Sequence, residues 1–421
     1  MIAAVAFVVG LSLILQWTDS GSPDRNGSAS LSRAKVDLIA RRVERIRQLR
    51  FTHPVKPRFV DRTDAIRMID DATTREYSPA DQRSDEESLK LLGLMRPSEN
   101  LADALRAIAH EQVLGFYDDR GKRLVVVRDE TASRPLLEIT LAHELVHALE
   151  DQRFGFHARG GLADDRTIAE SALAEGTATE VMVEYAQRFF DAGDAFSVLG
   201  AASRTTAKLP AYVDASLLFP YEAGLAFVAA LRGDSKSWRP VDRVLRSRHP
   251  SSAEQVLHLD KYAADEEPAA VAAVDLGSAL GPAWRRAGAS TVGEFDLRAL
   301  FEIDGGSPDD AAAAGWGGGT FEFWRKEGLA ERGCAAPCVS RDVGVMKLAW
   351  DTETDAAVAN EALGKAFGKG LEAKRLSGAA GVELWSSRGG TIGLAARRRE
   401  TDIVLAPTIP LVARVLERVA G

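Results

Sequence analysis

The chain has 421 residues, 53 Lys+Arg against 61 Asp+Glu for a formal charge of −8, 46% hydrophobic residues, 7 His and 2 Cys. That length holds two or three domains with cores of their own. The acidic balance, with no region rich enough in Lys and Arg to neutralise many phosphates, excludes a protein built on nucleic-acid binding. Two cysteines exclude a disulfide scaffold and a four-cysteine zinc site, so any metal chemistry must draw on His and carboxylates.

Residues Ile2 to Leu15 form an apolar run interrupted by Gly10 and Ser12, and a Gly/Ser-rich stretch from Ser20 to Ser32 follows. The run is shorter than the about 20 residues of a membrane span and suits a signal-peptide core. Residues 1–30 are therefore expected to be a signal peptide or N-terminal membrane anchor plus linker, with the protein outside the cytoplasm. An amphipathic helix is expected over Leu31–Leu49, where Val36, Ile39, Val43, Ile46 and Leu49 recur at steps of 3 and 4, with its Arg-rich face solvated. Val55–Val60 reads as a strand, Asp81–Ala109 as helix broken at Gly93 and Pro97, and Val113–Tyr117 with Leu124–Arg128 as a hairpin turning at Asp118-Asp119-Arg120-Gly121.

Two long helices, Leu136–Gln152 and Asp165–Phe190, follow, then a helical region punctuated by Pro220, Gly233, Pro240 and Pro250. Asp265-Glu266-Glu267-Pro268 reads as a domain boundary. Beyond it Gly305–Gly319 reads as a Gly/Ala-rich loop, its Gly315–Gly319 end turning around a packed Trp316, Val382–Leu405 as three short strands and Pro407–Val419 as a closing helix. In an exported chain Cys334 and Cys338 are expected to form a local disulfide.

The first long helix contains His143-Glu144-Leu145-Val146-His147, an HExxH motif. A spacing of four puts both imidazoles on one face, one turn apart, where they can share a metal, with Glu144 beside them to act on an activated water. A catalytic zinc needs a third protein ligand. The metzincin pattern requires a His six residues past the second one, and Arg153 stands there. His157 is a minor candidate in the following loop. On the second helix Ile168, Ala172, Glu175, Thr179, Met182, Ala186 and Phe189 form one stripe at steps of 4 and 3, which is a core-facing pattern with a carboxylate in its middle. A buried charge must be paired or bound to metal, so Glu175 is the expected third ligand, with Glu170 or a structural salt bridge as alternatives. Glu170, Glu180 and Glu184 fall on a different stripe that reads as mostly solvated. Asp151, four residues past His147, is a candidate acceptor for a ligand imidazole N–H.

HExxH followed by a Glu on the next long helix resembles the gluzincin metallopeptidases. The run Ala174-Glu175-Gly176-Thr177-Ala178 is similar to the Asn-Glu-Gly-Phe-Ala segment that supplies the third ligand in gluzincin aminopeptidases, whereas the thermolysin family has Asp where this chain has Thr179. More of the chain resembles a group of uncharacterised exported bacterial proteins with an HELVHAL(E/Q)DQ(R/H)F motif. The matching segments are His143–Phe154, Leu173–Thr179, Phe219-Pro220-Tyr221 with Gly224 and Phe227, Gln255–His258 with Lys261-Tyr262, and Gly315–Gly318. The resemblance implies an α+β fold: a zincin-like catalytic domain over 31–265, with a small sheet, an active-site helix and a Glu-ligand helix, and a mixed α/β C-terminal domain over 266–421. It also implies a zinc metallopeptidase without supplying its substrate; a peptide or protein is the expected partner.

In that reading Zn2+ is held by His143, His147 and Glu175, and Glu144 is the general base. An oxyanion donor is expected among Tyr221, His258 and, less favoured, Tyr262. The edge of the small sheet is expected to hold an extended substrate. A non-catalytic zinc-binding scaffold of the cell envelope is the rival, and a hydrolase or isomerase acting on a non-peptide substrate the third reading.

Overall fold

The computed structural model describes residues 32–420 apart from 112, 129–132, 156–164, 192–207, 303–309, 329–340 and 378–380. The apolar N-terminal run, His157, Cys334 and Cys338 lie outside the described residues. The N-terminal half comprises α1 (Arg33–Arg47), β1 (Pro57–Val60), α2 (Arg62–Glu76), α3 (Pro79–Leu91), α4 (Leu101–Glu111), β2 (Gly115–Asp118), β3 (Arg123–Val127), α5 (Arg134–Phe154), α6 (Asp165–Phe189), α7 (Ala211–Arg232), α8 (Arg239–Ser247), α9 (Ala253–Leu257) and α10 (Leu259–Ala264). The second half comprises α11 (Gly277–Leu280), β4 (Trp284–Thr291), α12 (Glu294–Phe301), α13 (Asp310–Ala313), β5 (Trp316–Lys326), β6 (Asp342–Trp350), α14 (Glu353–Gly370), β7 (Lys374–Leu376), β8 (Val382–Ser387), β9 (Gly390–Arg397), β10 (Glu400–Ala406) and α15 (Ile409–Ala420). The fold is α+β.

The first sheet has the order β1-β3-β2, with β1 parallel and β2 antiparallel to β3. The second is a seven-stranded antiparallel sheet of order β4-β5-β6-β10-β9-β8-β7. Its strands alternate between two buried faces. Met346, Leu348, Ile403 and Leu405 face the main core, while Val343, Val345, Val404 and Ala406 pack with Leu411, Val412 and Val415 of α15 in a second cluster. Period-two side-chain placement with both faces covered explains why β6 and β10 carry apolar residues at consecutive positions, Val345-Met346 and Ile403-Val404-Leu405-Ala406. The main core is continuous from Val36 in α1 to Leu405 in β10, on both sides of the Asp265–Pro268 stretch.

Helix α1 covers the expected span within two residues at each end, but its basic face is only partly solvated. Arg47 is fully buried, paired with Glu150 and Asp242 and stacked on Trp238, and Lys35 and Arg42 pair with Glu138. Of the loop expected over Gly305–Gly319, residues 305–309 lie outside the described residues, Asp310–Ala313 is the short helix α13, and β5 starts at Trp316 and takes in Gly317, Gly318 and Gly319. There the glycines admit other backbone: a Cβ on Gly318 would stand 2.5 Å from Ala269 O and one on Gly319 2.8 Å from Val292 O. They mark close approach within a strand and not a turn. Pro220 likewise lies inside α7 without ending it, whereas Gly233 at φ +54° does end it.

Candidate metal centre

Helix α5 starts where Ser133 caps Leu136 N at 3.4 Å and stops at Gly155, a left-handed C-cap at φ +65°. Between Leu136 and Asp151 every residue except His147 is buried, so α5 is a central helix touched on all sides. Strand β2 and helix α6 both pack on it. Helix α6 is in turn clamped to α7 by glycines. A Cβ on Gly176 would fall 2.2 Å from the Gly224 carbonyl, and one on Gly224 would fall 2.0 Å from Ala172 O. This backbone-to-backbone contact lies next to Glu175 on one helix and three residues past Tyr221 on the other.

The packing converges on one point. Glu175 Oε2 lies 3.0 Å from His143 Nε2, Glu175 Oε1 lies 3.6 Å from His147 Nε2, and the two Nε2 atoms are 3.1 Å apart. His143 is fully buried, Glu175 is 3% exposed, and the His147 side chain is 14% exposed. Ligand atoms held tetrahedrally around a zinc at about 2.0–2.1 Å stand about 3.3 Å apart, so these spacings fit a shared cation. The donor chemistry fits too, with two imidazole nitrogens and one carboxylate. Without a cation the charges settle among themselves. Burial pushes Glu175 up, but the two imidazoles, His147 foremost, bring it down to about 2. Burial pushes His147 down, but the Glu175 carboxylate outweighs it and lifts the imidazole to about 9. His143 goes down, because burial outweighs its bond to Glu175.

Glu144 is fully buried, and its Oε2 accepts the backbone N–H of Tyr117 in β2 at 2.8 Å. The Tyr117 hydroxyl donates to Asp151 Oδ2 at 2.7 Å, and Lys122 Nζ donates to both Asp151 oxygens at 2.6 and 2.7 Å. Asp151 is thus the acceptor of a phenol and an ammonium. Tyr117 and Lys122 had no motif to announce them; the one signal was the hairpin, which brings its turn over the end of α5. Among the expected oxyanion donors Tyr221 lies against the cluster, its ring inclined 29° to that of His143 with 6.1 Å between centroids. His258 instead bonds Glu294 at 3.0 Å, and Tyr262 donates to Arg248 O at 2.7 Å, so neither is gathered with the cluster.

The carboxylates expected on a solvated stripe of α6 are corrected. Glu170 is buried with Arg166 at 3.3 Å, and Glu180 and Glu184 both grip the buried Arg232, which stacks on Trp238. A continuous apolar stripe on one face did not imply water on the other, because α6 is surrounded.

A family model described as "Domain of unknown function (DUF8575)" matches residues 282–416, the stretch from just ahead of β4 into α15. No curated protein matches the sequence. A crystal structure from Chloroflexus aurantiacus, described as a "putative hydrolase with a novel fold", is similar over 62% of this chain and 96% of its own, at 17% identity and a TM-score of 0.39. So distant a likeness transfers no activity.

Proposed function

We propose that the protein is a zinc-dependent peptidase of gluzincin type, with a zincin-like N-terminal half, that hydrolyses peptide bonds outside the cytoplasm. The observation that carries the reading is the convergence of His143, His147 and Glu175, whose ligand atoms lie within 4.8 Å of one another on helices that bear HExxH and a downstream Glu. Three protein donors of this kind leave a fourth position open, as a catalytic site requires. Zinc held there supplies Lewis acidity, polarising a carbonyl and making water nucleophilic near neutral pH.

This chain's residues do the rest. Glu144, held by the Tyr117 N–H, takes the proton of the attacking water and delivers it to the leaving amine. Tyr221, stacked on His143, is the proposed donor to the developing oxyanion, and His258, engaged by Glu294, is not. The edge of the small sheet at β2 is already occupied at Tyr117, whose outward N–H is engaged by Glu144. The extracytoplasmic location rests on the apolar run Ile2–Leu15.

One observation favours the rival scaffold reading: the cluster is nearly closed to water, with His143 and Glu144 at 0% exposure. A peptide-library assay of the wild type and Glu144→Gln separates the two. Cleavage by the wild type that falls about 10²–10⁴-fold in the variant supports the peptidase, and bound zinc without any cleavage selects the scaffold.

A further inference from the structure

We infer that Tyr117 is a positioning residue for Glu144, tying the edge of the small sheet to the active-site helix at two points. The kinetic consequence rests on the peptidase reading, and the geometry does not. Strand β2 ends its sheet, and Leu114 O accepts Val127 N at 2.9 Å. In an antiparallel pair the N–H and C=O of alternate residues point the same way, so Leu114 and Phe116 turn toward β3 while Gly115 and Tyr117 turn outward. The outward N–H of Tyr117 meets Glu144 Oε2 at 2.8 Å, and the hydroxyl of the same residue meets Asp151 Oδ2 at 2.7 Å.

Glu144 and Asp151 are about two helical turns, or roughly 10 Å, apart along α5. One residue therefore bridges strand and helix at both places, and neither its backbone nor its ring can shift without the other. Lys122, in the turn between β2 and β3, holds both Asp151 oxygens and so fixes the position of that acceptor. Tyr117 is 8% and Asp151 7% exposed, so little water competes for these bonds. A glutamate has three rotatable side-chain bonds, and the strand's N–H removes most of that freedom from one carboxylate oxygen at the site where a proton must be transferred.

Amide hydrogen exchange in the full-length chain tests the tie, with zinc content and steady-state kinetics measured on the same preparations. Tyr117→Phe and Asp151→Ala are each expected to speed exchange of the residue 117 amide about tenfold, the worth of one hydrogen bond, while the Val127 amide stays protected. Each is expected to lower kcat about tenfold with KM and zinc content unchanged, and the double variant to lose no more than either single, since both break the same bond. Unchanged exchange at residue 117 in both variants, or losses that add in the double variant, overturns the inference. If the wild type cleaves no peptide, the peptidase reading fails and the exchange data alone decide the role of Tyr117.

Discussion

Glu175 carries its charge where water cannot reach it, and two imidazoles are the groups that make this tolerable. The pairing gives the metal-free protein a pH signature. Glu175, depressed to about 2, contributes stability that is complete above its ordinary value of 4.5 and lost as pH falls toward 2. His147, raised to about 9, contributes stability that is complete below its ordinary 6.5 and lost as pH rises through 9. Thermal melts of chelator-treated protein are expected to show this pair's full contribution between about pH 4.5 and 6.5 and a decline on both sides. Zinc loading is expected to remove the alkaline decline, because a ligating imidazole is already neutral. At this scale the sequence was most legible where chemistry and periodicity coincide. The spacing of four named His143 and His147, and a carboxylate inside an apolar stripe named Glu175. Tyr117 and Lys122 were hidden, since their role comes from a hairpin folding onto α5 and no local pattern encodes a contact between segments. His258 looked like a candidate through chain order alone, and Glu294, brought close by the fold, had already engaged it.

The crossing of α6 and α7 sets how near Glu175 and Tyr221 come to α5. Gly176 and Gly224 permit it, and an added methyl at either must force the helices apart, since both would collide with backbone that cannot rotate away. Gly176→Ala and Gly224→Ala are each expected to cost about 1–3 kcal/mol or more in urea unfolding, with zinc affinity falling as well, against the usual gain in helix propensity from the same change. Unaltered stability in both would contradict the close crossing. Helix positions were readable from 3.6-residue periodicity: α5 and α6 fall within two residues of expectation, as do the three C-terminal strands at the starts and ends the sequence marked. Glycine misled in β5 because it served tight packing there, and Pro220 misled because α7 is held on α6 strongly enough to keep its helical path.

Across the whole molecule the two halves are joined by partly buried ion pairs as well as by apolar core. Lys261 in α10 binds Glu254, Glu266 and Asp351, the last from the far side of the Asp265–Pro268 stretch, and Glu87 in α3 binds Arg325 and Arg341 of the large sheet region. Lys261→Met leaves Glu254, 2% exposed, without its ammonium, so a loss of about 3 kcal/mol is expected in urea unfolding, and an unchanged midpoint would show that the clamp carries no weight. Such long-range pairs were not legible, because charge patterns along a chain do not state which segments meet. The proposed three-ligand zinc site is tested most directly by metal stoichiometry. After purification from zinc-replete medium, wild-type protein is predicted to hold one zinc per chain, Glu144→Gln to keep it, and Glu175→Ala to lose most of it while remaining folded by circular dichroism. Metal-free wild type under those conditions, or full zinc occupancy in Glu175→Ala, would contradict the account.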